Sequence, residues 1–107
     1  MNHTNPEKIF EALVSFIRDE IGENKMNISK ETLIENDLGV TGDEATELIQ
    51  KFSKKFNVNI NEFKYEKYFY PEPSLFNTLH SILPLTVGDL EKSILFGKLD
   101  ETVIGDP

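Results

Sequence analysis

The feature that most restricts the fold of this chain is a helical spacing of its apolar residues. Between Pro6 and Ile21, the residues Ile9, Leu13 and Ile17 recur every four positions. This spacing places them on one face of an α-helix. Proline at the first helical position and Gly22 just after the last favour the same limits. The pattern therefore predicts a helix over 6–21 that packs one face on a core.

Two further helices are predicted from Thr41 and from Thr86. Thr41 and Glu44 have the spacing of a capping box, and an apolar stripe follows them. Thr86 and Asp89 repeat that spacing ahead of a second stripe, and a glycine at 97 can end the helix.

The charges of the Thr41 helix are divided along its length. Its first half carries an acidic trio and its second half a lysine trio: Asp43, Glu44 and Glu47, then Lys51, Lys54 and Lys55. This order suits the helix dipole, and Glu47 and Lys51 have the spacing of an ion pair along the helix. The general interpretation of such charges is a solvated helix face.

Residues 63–84 show no single periodicity. Five aromatic residues precede two prolines: Phe63, Tyr65, Tyr68, Phe69 and Tyr70. A short amphipathic helix can then begin at Ser74. The aromatic cluster has two interpretations, which stay open at this point. It is either additional core, or an exposed anchor patch in which the tyrosines at 65, 68 and 70 bind a partner.

These segments predict an all-α fold with four helices in a single domain over 1–107. The short helix lies in the insertion between the second and the last long helices. The acidic tail 100–107 is expected to fray, with the alternative that Val103 and Ile104 dock. The predicted core comprises Phe10, Leu13, Ile17, Leu38, Leu48, Phe52, Phe56, Ile60, Leu90 and Ile94.

Composition excludes several classes of function. The 11 Lys and Arg against 19 Asp and Glu give a net charge of −8, which argues against a nucleic-acid binder and for a partner with a basic surface. The chain has no cysteine and two histidines, His3 and His80, so no metal site or catalytic set is expected. No apolar run is long enough for a membrane span or a signal peptide, so we expect a cytoplasmic protein. Because no catalytic set is expected, we also expect that the protein is not an enzyme.

The stretch 38–49, with the sequence LGVTGDEATELI, resembles acyl carrier proteins. In that family a Leu-Gly step leads into an Asp-Ser-Leu triplet at the start of the second helix. The stretch 85–90, LTVGDL, is similar to the start of the family's last helix. The whole pattern is also similar to small bacterial acyl-carrier-like proteins of uncharacterised function. The resemblance implies a four-helix bundle over about Pro6 to Leu99, in which the insertion 63–84 has no counterpart.

One departure from that family decides what the resemblance implies about function. The alignment places Gly42 where the family has the serine that carries 4′-phosphopantetheine. Glycine has no hydroxyl, so the resemblance implies neither that cofactor nor a thioester carrier at this position. Ser74, which precedes a leucine, is the nearest imitation of the triplet and is interpreted as a helix cap.

A second departure concerns the second helix, which members of that family present as an acidic surface to basic enzymes. In this chain only the first half of that helix is acidic, because the lysine trio reverses the sign of the second half. If the helix still docks partners as the resemblance implies, Thr41, Gly42 and the acidic trio are the candidate partner-binding residues. The leading hypothesis is a non-enzymatic protein-interaction module. An alternative is an acidic immunity or antitoxin-type protein that inhibits a basic nuclease. A third hypothesis is an active carrier that uses Ser74 or another serine.

Overall fold

The computed structural model describes residues 6–23, 25–69 and 82–104, and within them the chain is helical without strands. The elements are α1 (Pro6–Ile21), α2 (Gly42–Phe56), α3 (Tyr65–Tyr68) and α4 (Val87–Phe96). The all-α prediction is confirmed, and α1 has the predicted bounds.

One apolar cluster joins α1 to both α2 and α4. Of the predicted core, five side chains are buried: Leu13, Ile17, Leu48, Phe52 and Leu90. The other five are partly buried and pack against that cluster: Phe10, Leu38, Phe56, Ile60 and Ile94. The spacing therefore identified the correct face of each long helix, and the residues at the edge of each stripe are the half-buried ones.

The predicted helix ends of α1 and α4 are confirmed. Gly22 and Gly97 have φ of 70° and 81°, and their backbone N–H groups donate to carbonyls of the preceding turn. At the start of α4, Asp89 N–H donates to Thr86 Oγ1 at 3.1 Å, and Thr86 N–H donates to Asp89 Oδ2 at 3.0 Å. Both bonds of the predicted capping box are present.

Two isolated bridges connect the loops to α4. Leu33 pairs with Thr86 in the antiparallel sense, and Asn59 pairs with Lys98 in the parallel sense. The first bridge lies at the start of α4, and the second joins the segment after α2 to residues just beyond the end of α4. Because these bonds satisfy backbone groups next to the core, they hold both ends of α4 in place.

The end of the chain packs on the bundle through residue 104, so the expected fraying does not cover 100–104. Residues 100–104 form a turn in which the N–H groups of Val103 and Ile104 donate to the carbonyl of Asp100. The side chain of Val103 is fully buried. Glu101 pairs with Lys64 at 3.9 Å and with Lys67, which ties this turn to α3.

The insertion contains a helical turn that the sequence did not predict, α3. The helix predicted from Ser74 falls on 70–81, outside the described residues. Aromatic packing holds α3 against the residues before it: the rings of Phe63 and Tyr68 are stacked, with centroids 5.4 Å apart. Phe63, Tyr68 and Phe69 are all buried. The core interpretation of the aromatic cluster is therefore the correct one for these three residues.

Phe52 is central to the contact between α1 and α2. Its side chain is fully buried, and its ring lies 6.4 Å from that of Phe16 and 5.4 Å from that of Phe56. We expect Phe52→Ala to lower the free energy of unfolding by about 3–5 kcal/mol, because it leaves a cavity among these rings. Urea denaturation monitored by circular dichroism measures the change.

Phe96 provides the matched control for that substitution. It lies on α4 with 58% of its surface exposed, so Phe96→Ala removes the same atoms without opening a cavity. We expect a change below about 1 kcal/mol. Equal losses in the two variants would contradict the placement of Phe52 in the core.

Candidate functional site

The start of α2 is where the structure departs most from a phosphopantetheine site. Thr41 is extended, with φ −152° and ψ 168°, and Gly42 follows as the first helical residue with φ 60°. Residues with a Cβ avoid this left-handed region at a cost of about 1–2 kcal/mol. Position 42 therefore combines an absent hydroxyl with a backbone conformation that favours glycine over serine.

The capping box predicted at Thr41 is wrong. The Thr41 side chain makes no capping hydrogen bond to α2, although Thr41 does occupy the cap position. In a capping box the residues after the cap have right-handed helical angles, and Gly42 does not. The left-handed turn at Gly42 thus changes how the chain enters the helix.

A small pocket lies between the start of α2 and α3. It has a volume of about 240 Å³ and is lined by Gly42, Asp43, Ala45, Thr46, Tyr65, Glu66 and Phe69. The pocket is thus bounded by two carboxylates, two aromatic rings and the backbone of the first helical turn. Such a lining suits an apolar group that carries a positive charge.

Two hydroxyl groups border this pocket. Thr46 Oγ1 donates to the carbonyl of Gly42 at 3.5 Å, a long bond within the first turns of α2. Tyr65 packs edge-on against Phe63 with ring centroids 4.8 Å apart. Burial raises the pKa of the Tyr65 hydroxyl above its ordinary value, so the phenol is neutral at physiological pH.

The structure brings some of the predicted partner-binding residues together and separates others. Gly42 and Asp43 share the pocket with Tyr65, and all members of the acidic trio are exposed. Tyr68 is only 3% exposed. Because its ring is stacked in the core, Tyr68 is corrected from an anchor residue to a core residue. Tyr70 lies outside the described residues.

Four pocket residues were not predicted as part of the site: Ala45, Thr46, Glu66 and Phe69. Thr46 could have been found, because it lies one helical turn after Gly42 on the same side of α2. Glu66 and Phe69 come from α3 and the residue after it, more than twenty positions away in the sequence. Only the folding of the insertion against α2 brings them to the pocket.

The ion pair predicted along α2 is also different in the structure. Lys51 Nζ lies 3.2 Å from Glu20 Oε1 of α1, so Lys51 bridges two helices and does not pair with Glu47. The Lys55 ammonium lies 5.9 Å from the centre of the Phe56 ring. A residue of another helix thus decides the ion pair of Lys51.

In the part of the chain that the structure describes, no three His, Cys, Asp or Glu side chains are grouped to hold a metal ion. Both histidines lie outside that part. Among the same residues, no helix has the length and apolar character that a membrane span requires.

Comparison with known proteins gives a partial relative and a family. An acyl carrier protein of Guillardia theta is 30% identical over 56 residues, which cover 52% of this chain and 69% of that protein. No solved structure matches the chain. A family model described as "Protein of unknown function (DUF1493)" matches residues 7–98. The four helices of this chain agree with an acyl-carrier-like bundle. The family match covers most of the chain, from the second residue of α1 to beyond the end of α4, and this protein therefore belongs to the DUF1493 family.

Proposed function

We propose that this protein is a non-enzymatic interaction module on an acyl-carrier-like scaffold, with the start of α2 as its contact surface and no phosphopantetheine arm. One observation carries the proposal. The position that would hold the arm is Gly42, whose φ of 60° is unfavourable for any residue with a side chain.

The chemistry of arm attachment supports this proposal. Transfer of 4′-phosphopantetheine needs a hydroxyl oxygen that attacks phosphorus at the start of the second helix. Gly42 offers none, and the Thr46 hydroxyl one turn later is directed to the carbonyl of Gly42. The scaffold therefore keeps the helix that carriers present to their partners, without the group that they transfer.

The electrostatics of α2 indicate the kind of partner. Asp43, Glu44 and Glu47 are exposed on a protein of net charge −8. Exposed carboxylates contribute little affinity each but increase the rate of association with a basic surface. The pocket beside them adds the rings of Tyr65 and Phe69. A basic partner that inserts one apolar or cationic side chain there fits this combination.

Inhibition of a basic nuclease, as by an immunity protein, remains a second proposal. Its support is the net charge and the small size of the chain. It uses the same acidic surface, and it differs in requiring that the bound partner lose its catalytic activity.

The absence of an arm can be tested by mass. We expect the intact mass of the protein to be unchanged after incubation with coenzyme A and a broad-specificity phosphopantetheinyl transferase. A conventional acyl carrier protein in the same tube serves as the positive control. A mass increase that maps to any serine of this chain would overturn the proposal and favour the active-carrier hypothesis.

The conformation of Gly42 makes a separate prediction about stability. Serine is a better helix former than glycine by a few tenths of a kcal/mol. At a positive φ, however, its Cβ is strained, so we expect Gly42→Ser to destabilise the fold by about 1 kcal/mol. Urea denaturation measures the loss. Gln50→Ser, at an exposed position of α2 with ordinary helical angles, controls for the serine itself. A more stable Gly42→Ser variant would contradict the left-handed conformation.

The contact surface can be tested by removing its charge. We expect the triple variant Asp43→Asn, Glu44→Gln and Glu47→Gln to recover at least about tenfold less of any basic protein that the wild type captures from host extract, quantified by mass spectrometry.

The control for that experiment neutralises three exposed carboxylates away from α2: Glu11→Gln, Glu31→Gln and Glu62→Gln. It has the same net charge as the α2 variant. Equal recovery by the two variants would show that overall charge, and not the start of α2, recruits the partner.

A further inference from the structure

The charges of α2 are arranged symmetrically about its middle. The acidic trio lies six, five and two positions before Ile49, and the lysine trio lies two, five and six positions after it. Each acidic residue therefore has a lysine at the same distance on the other side of Ile49. The helix dipole explains why acids come first and lysines last, but it does not require equal distances.

All six charges lie on one exposed face. At about 100° per residue they fall within an arc of about 120° on the helix surface. The opposite side holds the buried residues Ala45, Leu48, Ile49 and Phe52. Within the described residues, the Lys51 ammonium is the only one of the six groups that has an ion pair, with Glu20. This face thus presents charges of both signs that the chain itself leaves largely uncompensated.

We propose that a second copy of this chain docks on this face, with the two α2 helices antiparallel about a two-fold axis at the level of Ile49. This arrangement brings Asp43 and Glu44 of each copy to the level of Lys54 and Lys55 of the other, and Glu47 to the level of Lys51. A parallel arrangement places like charges together. The face is therefore complementary to itself in one orientation, as an isologous interface requires.

The surroundings of the lysine trio provide room for such a contact. A groove of about 630 Å³ runs between α1 and α2, lined by Ala12, Ser15, Phe16, Asp19, Glu20 and the lysine trio. Glu20 is already paired with Lys51, and Asp19 is the second carboxylate of the groove. Lys54 and Lys55 at its edge are therefore the groups that receive the acidic start of the second copy's α2.

The size of the face sets the strength of the dimer. α2 has 15 residues, which gives a length of about 22 Å. A strip of that length covers roughly 400 Å² on each copy, about half of what a stable complex buries. The dimer is thus weak, reversible and sensitive to salt. Because it covers Asp43 and Glu44, it competes with the basic partner of the proposed function.

Sedimentation equilibrium tests the proposal on the full chain. At about 20 mM salt and protein concentrations up to about 1 mM, we expect self-association that weakens at least tenfold at about 300 mM salt. A wild type that stays monomeric over this range would overturn the proposal, and the face would then serve a different molecule.

Two charge-reversed variants show whether α2 carries the contact. One is Lys54→Glu with Lys55→Glu, and the other is Asp43→Lys with Glu44→Lys. Each places like charges opposite one another, so each alone should be monomeric. An equimolar mixture should associate at least as strongly as the wild type, because all four outer pairs become complementary again. A mixture that stays monomeric, or single variants that still dimerise, would contradict the antiparallel arrangement.

Matched controls repeat the charge changes elsewhere on the surface. Lys8→Glu with Lys25→Glu and Glu11→Lys with Glu62→Lys alter exposed residues outside α2. They should dimerise as the wild type does, and loss of dimer in them would assign the effect to net charge. Circular dichroism checks that each variant is folded. If Lys54→Glu with Lys55→Glu unfolds the chain, the milder pair Lys54→Gln with Lys55→Gln takes its place. The mass experiment on the arm is independent of these results, so the two proposals can fail separately.

Discussion

The structure depends on the burial of one side of α1 against both α2 and α4. Leu13 and Ile17 are fully buried there, and the ring of Phe16 packs against those of Phe52 and Phe56. Burial of such side chains contributes roughly 1.5–3 kcal/mol each. In the described part of the chain, α3 has only four residues, and the main contacts between helices are those of α1 with α2 and with α4. The packing of α1 therefore joins the helices into one core.

The same helix, α2, serves the core and the proposed function on opposite sides. Its buried side packs Leu48 and Phe52 into the core, whereas its exposed side carries charges that contribute little to folding. Gly42 distinguishes the proposed function from that of a carrier. Position 42 has no hydroxyl, so in the proposed function the start of α2 contacts a partner but carries no phosphopantetheine arm.

In the two proposals, a basic partner and a second copy of the chain both use the acidic half of α2. The two contacts therefore exclude each other, and the balance between them depends on protein concentration and salt. A weak dimer is easily displaced by a partner that also fills the pocket beside Tyr65 and Phe69. Self-association in this arrangement protects the acidic surface until a partner of higher affinity is present.

The sequence by itself determined the long helices, their ends and the side that each one buries. These properties depend on residues three or four positions apart, so they can be read from the sequence alone. Examples are the spacing of Leu13 and Ile17 and the capping box at Thr86. The sequence also showed that position 42 is a glycine and therefore has no hydroxyl. Only the tertiary structure decided that Tyr68 lies in the core and that Lys51 pairs with α1. Those contacts join residues distant in the chain, and their geometry exists only once the helices have packed.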